Sequence, residues 1–130
     1  MFILANVFRF KIMFINFFDD LIDSVISCFR KYFDFESRSS RKEFWFWQLF
    51  RILMFLSITY IESLGLSGLL LISNFIFIIP EIAVSIRRLH DTNRSGWWIL
   101  LTLTIIGIIP LTYYYCLRGD DKSNDFGKPN

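Results

Sequence analysis

The chain has one histidine and two cysteines in 130 residues. Cys28 and Cys116 sit in no CxxC or His-flanked pattern, so neither a metal site nor a disulfide framework is expected, and no cofactor is called for. Three prolines and six glycines are too few for a disordered Pro/Gly tract. Charged side chains make up only 20% of the chain, with a net charge of +2, which does not suggest a nucleic-acid partner. No nucleophile motif of the G-x-S-x-G kind is present.

What is abundant is apolar. Hydrophobic residues reach 54% and aromatic residues 19%, with sixteen phenylalanines, more than one small water-soluble core can hide. Three runs have the length and composition of membrane helices. The first, 44–61, has 18 residues; at about 1.5 Å of rise each it measures about 27 Å, close to the hydrocarbon thickness. The second, 64–86, is longer and carries Pro80 near its end, where tilt or a kink absorbs the excess. The third, 96–117, has no Asp, Glu, Lys, Arg or His until Arg118, and contains Gly107 and Pro110. A re-entrant hairpin is the rival reading of this last run.

Charge orients the expected bundle. Arg9, Lys11, Arg30, Lys31, Arg38, Arg41 and Lys42 precede the first run, the turn at Glu62 and Ser63 has no basic residue, and Arg87, Arg88 and Arg94 lie between the second and third. By the positive-inside rule the N-terminus and the 87–95 segment are cytoplasmic, and three spans would put the tail, 118–130, outside. Trp45, Trp47, Trp97 and Trp98 lie at the expected cytoplasmic ends and read as interface anchors.

Before the first span, apolar residues at Phe17, Phe18, Leu21, Ile22, Val25, Ile26, Phe29, Tyr32 and Phe33 recur on one helical face. Acids at the start (Asp19, Asp20, Asp23) and bases at the end (Arg30, Lys31) suit the helix dipole. The spacing predicts an amphipathic interfacial helix over 17–33. Residues 1–15 read as an extension resembling neither a signal peptide nor a span, and 16–130 as one membrane domain. Ser40-Arg41-Lys42-Glu43 reads as a capping box starting the first span. The fold class is therefore all-α: an integral membrane three-helix bundle with an N-terminal amphipathic interfacial helix.

Three stretches, "FESRSSRKEFW" (35–45), "RRLHDTNRSGWW" (87–98) and "GDDKSNDFG" (119–127), together resemble the YhaH/YhaI-like family of small bacterial inner-membrane proteins, a domain of unknown function, over roughly Asn16 to the C-terminus. The family pattern falls on Arg38, Arg41, Glu43, Trp45, Arg87, Arg88, Leu89, His90, Asp91, Ser95, Trp97, Trp98, Gly119, Asn124 and Gly127. Ser37 and Lys122 stand where it usually has glycine. The resemblance implies a multi-pass inner-membrane location and carries no established activity.

The chemistry these residues could carry divides into three readings. His90 oriented by Asp91 would serve as the general base of a lipid-modifying enzyme, but adjacent side chains on a helix diverge by about 100° and no nucleophile stands near. Asp91 paired with Arg94 or Arg38, and His90 with a neighbouring backbone group, make the motif loop a structural network. Arg38, Arg41, Lys42, Arg87, Arg88 and Arg94 would meet at one interface as an anionic headgroup site. Within the spans, Arg51 and Glu81 lie at matching depths and predict an intramembrane ion pair, with Gln48 and Ser85 beside it. The function expected is that of a non-enzymatic structural, lipid-headgroup-binding or partner-binding component. The alternatives are an oligomeric transporter or channel subunit, or the His90 enzyme. The expected partners are membrane lipids, anionic phospholipid among them, a homo-oligomer or another membrane protein, and no nucleic acid.

Overall fold

A computed structural model describes residues 1–129, and the Phe2 side chain is not among what it describes. Among the described residues there are helices and turns but no strand: α1 (Phe2–Arg30), α2 (Arg41–Ser63), α3 (Leu69–Asp91), a 3-10 helix (Gly96–Leu103) and α4 (Ile105–Cys116).

α1 begins before the expected helix and stops before its end. It runs unbroken through the first fifteen residues and gives way at Lys31–Phe33 to a turn, closed by the Asp34 amide donating to Lys31 O at 3.1 Å. Its last turns carry Val25, Cys28 and Phe29 onto α2 and α3. Phe29, Trp47, Phe50 and Phe77 form an aromatic cluster with centroids 5.5 to 6.5 Å apart, mostly edge to face, a geometry that adds to area burial. Its first half leaves Ile3, Leu4, Val7, Phe8 and Phe10 exposed.

α2 starts where the sequence sets its cap. Ser40 is extended and its hydroxyl accepts from the Glu43 amide at 3.2 Å. The helix ends at a turn holding Gly65 and Gly68 at φ +104° and +94°, a conformation that favours glycine. α3 therefore begins at Leu69, five residues later than its apolar run, and the Leu70 amide donates to Glu62 Oε1 at 2.9 Å. At its other end α3 continues through Asp91, so Arg87 to Asp91 form its last helical turns. His90 and Asp91 are thus helical residues, not loop residues: that segment is buried, and helix is how its backbone satisfies itself. Inside α3, Pro80 has no N–H to give Ile76 O, and the Tyr32 hydroxyl donates to that carbonyl at 2.7 Å from the turn after α1.

The expected third span, 96–117, is not one helix. Ser95 caps the 3-10 helix, the backbone turns extended at Thr104 (φ −119°, ψ 136°), and the Thr104 hydroxyl caps α4 by accepting from the Gly107 amide at 3.1 Å. The arms fold back on each other as a helical hairpin, bringing Trp98 against Tyr114 at 5.5 Å. A Cβ at Gly107 would collide with Leu101, so glycine permits the close approach. At about 2.0 and 1.5 Å per residue the arms measure only about 16 and 18 Å, too short for a 30 Å hydrocarbon layer. The hairpin brings Cys116 and the tail back to the end where α2 begins and α3 finishes, opposite to the expected placement. Among the described residues two helices, α2 and α3, have the length and hydropathy to cross a membrane, in place of the three expected. Only 11% of the apolar window of α2 and 28% of that of α3 are buried, so neither is the hidden core helix of a larger fold.

Candidate functional site

The motif residues converge at the polar end of α3 around one carboxylate. Asp91 Oδ1 accepts from Arg38 Nε and Nη2 at 3.0 and 2.8 Å, and Asp91 Oδ2 accepts from Arg88 Nη1. Both arginine side chains are 0% exposed. Arg38 spends its remaining donors on carbonyls of the tail: Lys122 at 2.8 Å, Gly127 at 3.2 Å and Asp120 at 2.5 Å. Arg88 donates to Tyr115 O at 3.2 Å and to Leu117 O, the terminal carbonyls of α4, where the helix dipole is negative. Two cations thus share one anion, and carbonyl oxygens supply the rest of the stabilisation.

The tail covers this knot. The Asp120 amide donates to Asp91 O at 2.9 Å, Asn124 Nδ2 to His90 O at 2.9 Å, and the Phe126 ring stacks on His90 at 4.0 Å and 4°. A Cβ at Gly119 would strike the Asp91 carboxylate, so only glycine passes there. His90 Nδ1 faces the carbonyls of Glu36 and Ser37 at 3.3 and 3.4 Å, acceptors that fix the proton on that nitrogen.

A second buried pair joins α1, α2 and α3. Arg87 Nη2 donates to Glu43 Oε1 at 3.1 Å, and its Nη1 to the carbonyls of Lys31 and Asp34, both at 3.0 Å. Burial works to raise the Asp34 carboxyl, but hydrogen bonds from the Ser37 hydroxyl and the amides of Ser37 and Glu36, with Arg87 nearby, hold it below its usual 3.8. Glu43 also accepts from Ser27 Oγ at 3.1 Å and contacts Cys28 Sγ at 3.8 Å. Burial, reinforced by Glu43 and opposed by Arg87, pushes the Cys28 thiol up from 9.0 to about 12. Cys28 therefore stays neutral in the folded chain where the unfolded chain would ionise it. Its contribution to stability is whole below pH 9 and is lost as pH rises through about 12. Thermal unfolding in detergent is expected to show a smaller loss across that window for Cys28→Ala than for the unaltered protein; equal losses would refute it.

The six basic residues expected at a headgroup site divide. Arg38, Arg87 and Arg88 are buried against protein partners and cannot reach a headgroup. Arg41, Lys42 and Arg94 are exposed. Lys42 Nζ pairs with Asp20 at 2.6 Å, and Arg94 lies over the rings of Tyr114 and Trp98 at 4.9 and 5.9 Å. Arg41 and Lys42 line a groove of about 460 Å³ together with Trp45, Phe46 and Leu49. Of the four expected anchors Trp45, Trp97 and Trp98 are exposed. Trp47 is wholly buried, because its indole N–H has Glu81 Oε2 as a partner at 2.8 Å and its ring completes the aromatic cluster. Arg51 Nε lies 3.7 Å from Glu81 Oε2, Gln48 Nε2 donates to Glu81 Oε1 at 2.6 Å, and Ser85 is buried one turn further along α3. Sequence reasoning gave Glu43 only a capping role; its cation, Arg87, lies 44 residues away and is brought to it only by the packing of α2 on α3.

The architecture defines a class: a small all-helical protein with two membrane-capable helices, a short helical hairpin and a buried arginine–carboxylate knot that ties its tail to one end. Residues 32–128 match the family described as "Protein of unknown function (DUF805)". The chain belongs to that family. It is 38% identical over 109 residues to inner membrane protein YhaI of Escherichia coli K12, covering 78% of this chain and 90% of that one. With inner membrane protein YhaH of the same strain it shares 32% over 114 residues, 82% and 94% of the two chains. No solved structure matches.

Proposed function

We propose that this is a two-span inner-membrane protein, non-enzymatic, whose cytoplasmic face binds anionic phospholipid headgroups at Arg41 and Lys42. α2 and α3 cross the bilayer, and the hairpin enters from the cytoplasmic side and returns to it. The aromatic and apolar residues of α1 lie along that surface. The names of YhaI and YhaH support the location. The orientation rests on the basic residues gathered at one end, set against a Glu62–Ser63 turn that has none. A non-enzymatic role fits an Asp91 consumed by two arginines and a His90 held between Phe126 and backbone carbonyls.

The observation that carries the binding site is the groove itself, whose lining joins the Arg41 guanidinium, for phosphate, to Trp45, Phe46 and Leu49, for an acyl chain, with Lys42 beside it. Each such basic residue is worth about 1 kcal/mol near an anionic surface. Arg41→Glu is therefore expected to cut anionic phospholipid retained through gentle extraction by about fivefold or more, with helix content unchanged and a smaller difference at high salt. Native mass spectrometry reads the retained lipid; equal retention overturns the site.

The topology has its own test. In intact spheroplasts a membrane-impermeant maleimide is expected to modify a Ser63→Cys variant and to leave Ser123→Cys and the native Cys116 untouched until lysis. Labelling of Ser123→Cys before lysis would put the tail outside and end the two-span reading.

A further inference from the structure

Between α2, α3 and the hairpin runs a second cleft, of about 490 Å³, walled by Gln48, Glu81 and Ser85 on one side and by Thr102, Thr112 and Tyr115 on the other. It extends from Phe44 and Trp45 at the polar end to Ile52, eight residues down α2, or about 12 Å along the helix. If α2 and α3 span the bilayer, as proposed above, this cleft opens sideways into the lipid, and a polar wall at that depth is costly unless something satisfies it.

Its polar atoms are mostly acceptors. The Thr102 and Thr112 hydroxyls donate to their own helix carbonyls, Ile99 O at 2.7 Å and Ile108 O at 2.9 Å, which leaves their oxygen lone pairs for the cleft. Ser85 and Tyr115 add two hydroxyls, each able to accept as well as donate. Glu81 takes single hydrogen bonds from Gln48 and Trp47, and each carboxylate oxygen has a further lone pair to offer. The charge of Glu81 is already balanced by Arg51 at 3.7 Å, itself seated over Phe77 at 4.9 Å. A ligand suited to this wall donates a hydrogen bond, carries no charge, and brings an apolar chain for Ile52, Ile82 and Ile99.

We infer that the cleft binds a lipid alcohol, an amphiphile whose uncharged hydroxyl sits between Glu81 and Thr112 and whose single chain leaves past Ile52 toward the bilayer midplane. A primary amine would bring a second cation to a carboxylate that has one, and a phosphate would meet the carboxylate with like charge. The site is distinct from the Arg41 groove, with Trp45 between them lining both.

The test uses the full chain in vesicles of zwitterionic phospholipid only, which leaves the anionic headgroup site empty and makes the two proposals fail separately. The probe is hexadecan-1-ol with a mid-chain diazirine, photolysed and mapped by peptide mass spectrometry. Labelling is expected on the segments holding Ile52, Ile82 and Ile99, and unlabelled hexadecanol should compete where hexadecane does not. Thr112→Val, which removes one acceptor and keeps the shape, is expected to weaken labelling about fivefold, the loss of one hydrogen bond. Thr112→Phe, which fills the cleft, should abolish it. Helix content and melting of both variants are measured alongside, and Ile99→Trp replaces either that fails to fold. Equal competition by hexadecane, stronger competition by hexadecylamine, or labelling spread evenly over outward residues such as Leu53 and Phe55 overturns the inference.

Discussion

Asp91→Ala is expected to cost about 3–5 kcal/mol and to free the tail, because it leaves two fully buried guanidinium groups without their shared anion. Neither arginine can turn outward: Arg38 is fixed to three tail carbonyls and Arg88 to the end of α4. Asp91→Asn should fare little better, since one amide oxygen can serve only one of the two arginines and its NH₂ would face the other. The thermal midpoint in detergent reads the loss, and limited proteolysis at Lys122 reads the released tail. A variant within about 1 kcal/mol of the parent, with its tail still protected, would show that the carbonyls alone hold the knot.

Glu43→Ala is expected to have the second largest effect, about 3 kcal/mol or more, by stranding Arg87 at 0% exposure. Here the consequence is local to the joint between α1 and α2, where Arg87 also holds Lys31 O and Asp34 O. The double variant Glu43→Leu with Arg87→Met should recover much of the loss, since a buried pair is replaceable by apolar side chains of similar volume where a half pair is not. Thermal unfolding of the two single variants and the double checks it; additive losses would mean that the two groups do not act as a pair.

The helical class, the cap at Ser40 and the courses of α2 and α3 were legible because they rest on local signals: hydropathy, an S-x-x-E box and glycines. Gln48, Arg51 and Glu81 could be grouped by depth alone, since two helices joined by a short turn must run antiparallel. The third apolar run misled because hydropathy measures what surrounds a segment and not whether it is straight; Thr104, Gly107 and Pro110 were the signals of a break. The arginines misled for a deeper reason. Positive-inside counting treats every Lys and Arg as a surface charge, whereas Arg38 and Arg87 are buried by partners 44 to 89 residues away, which no local window contains, and Arg88 is closed over by the end of α4, 27 and 29 residues on. Trp47 looked like its neighbour Trp45 until the carboxylate that its N–H requires was in place.

The bond from Arg38 to Gly127 O spans 89 positions, and that distance sets an order of assembly. α2 and α3, close in sequence and apolar, can enter a bilayer and pair as they emerge. The knot cannot close until the chain has been made past Gly127, well after both helices. Until then Arg38 and Arg88 lack those carbonyl partners and remain hydrated cations. Closure then turns the same two residues from solvated charges into interior structure. Closing a loop that long costs more chain entropy than pairing α2 with α3 across their short turn.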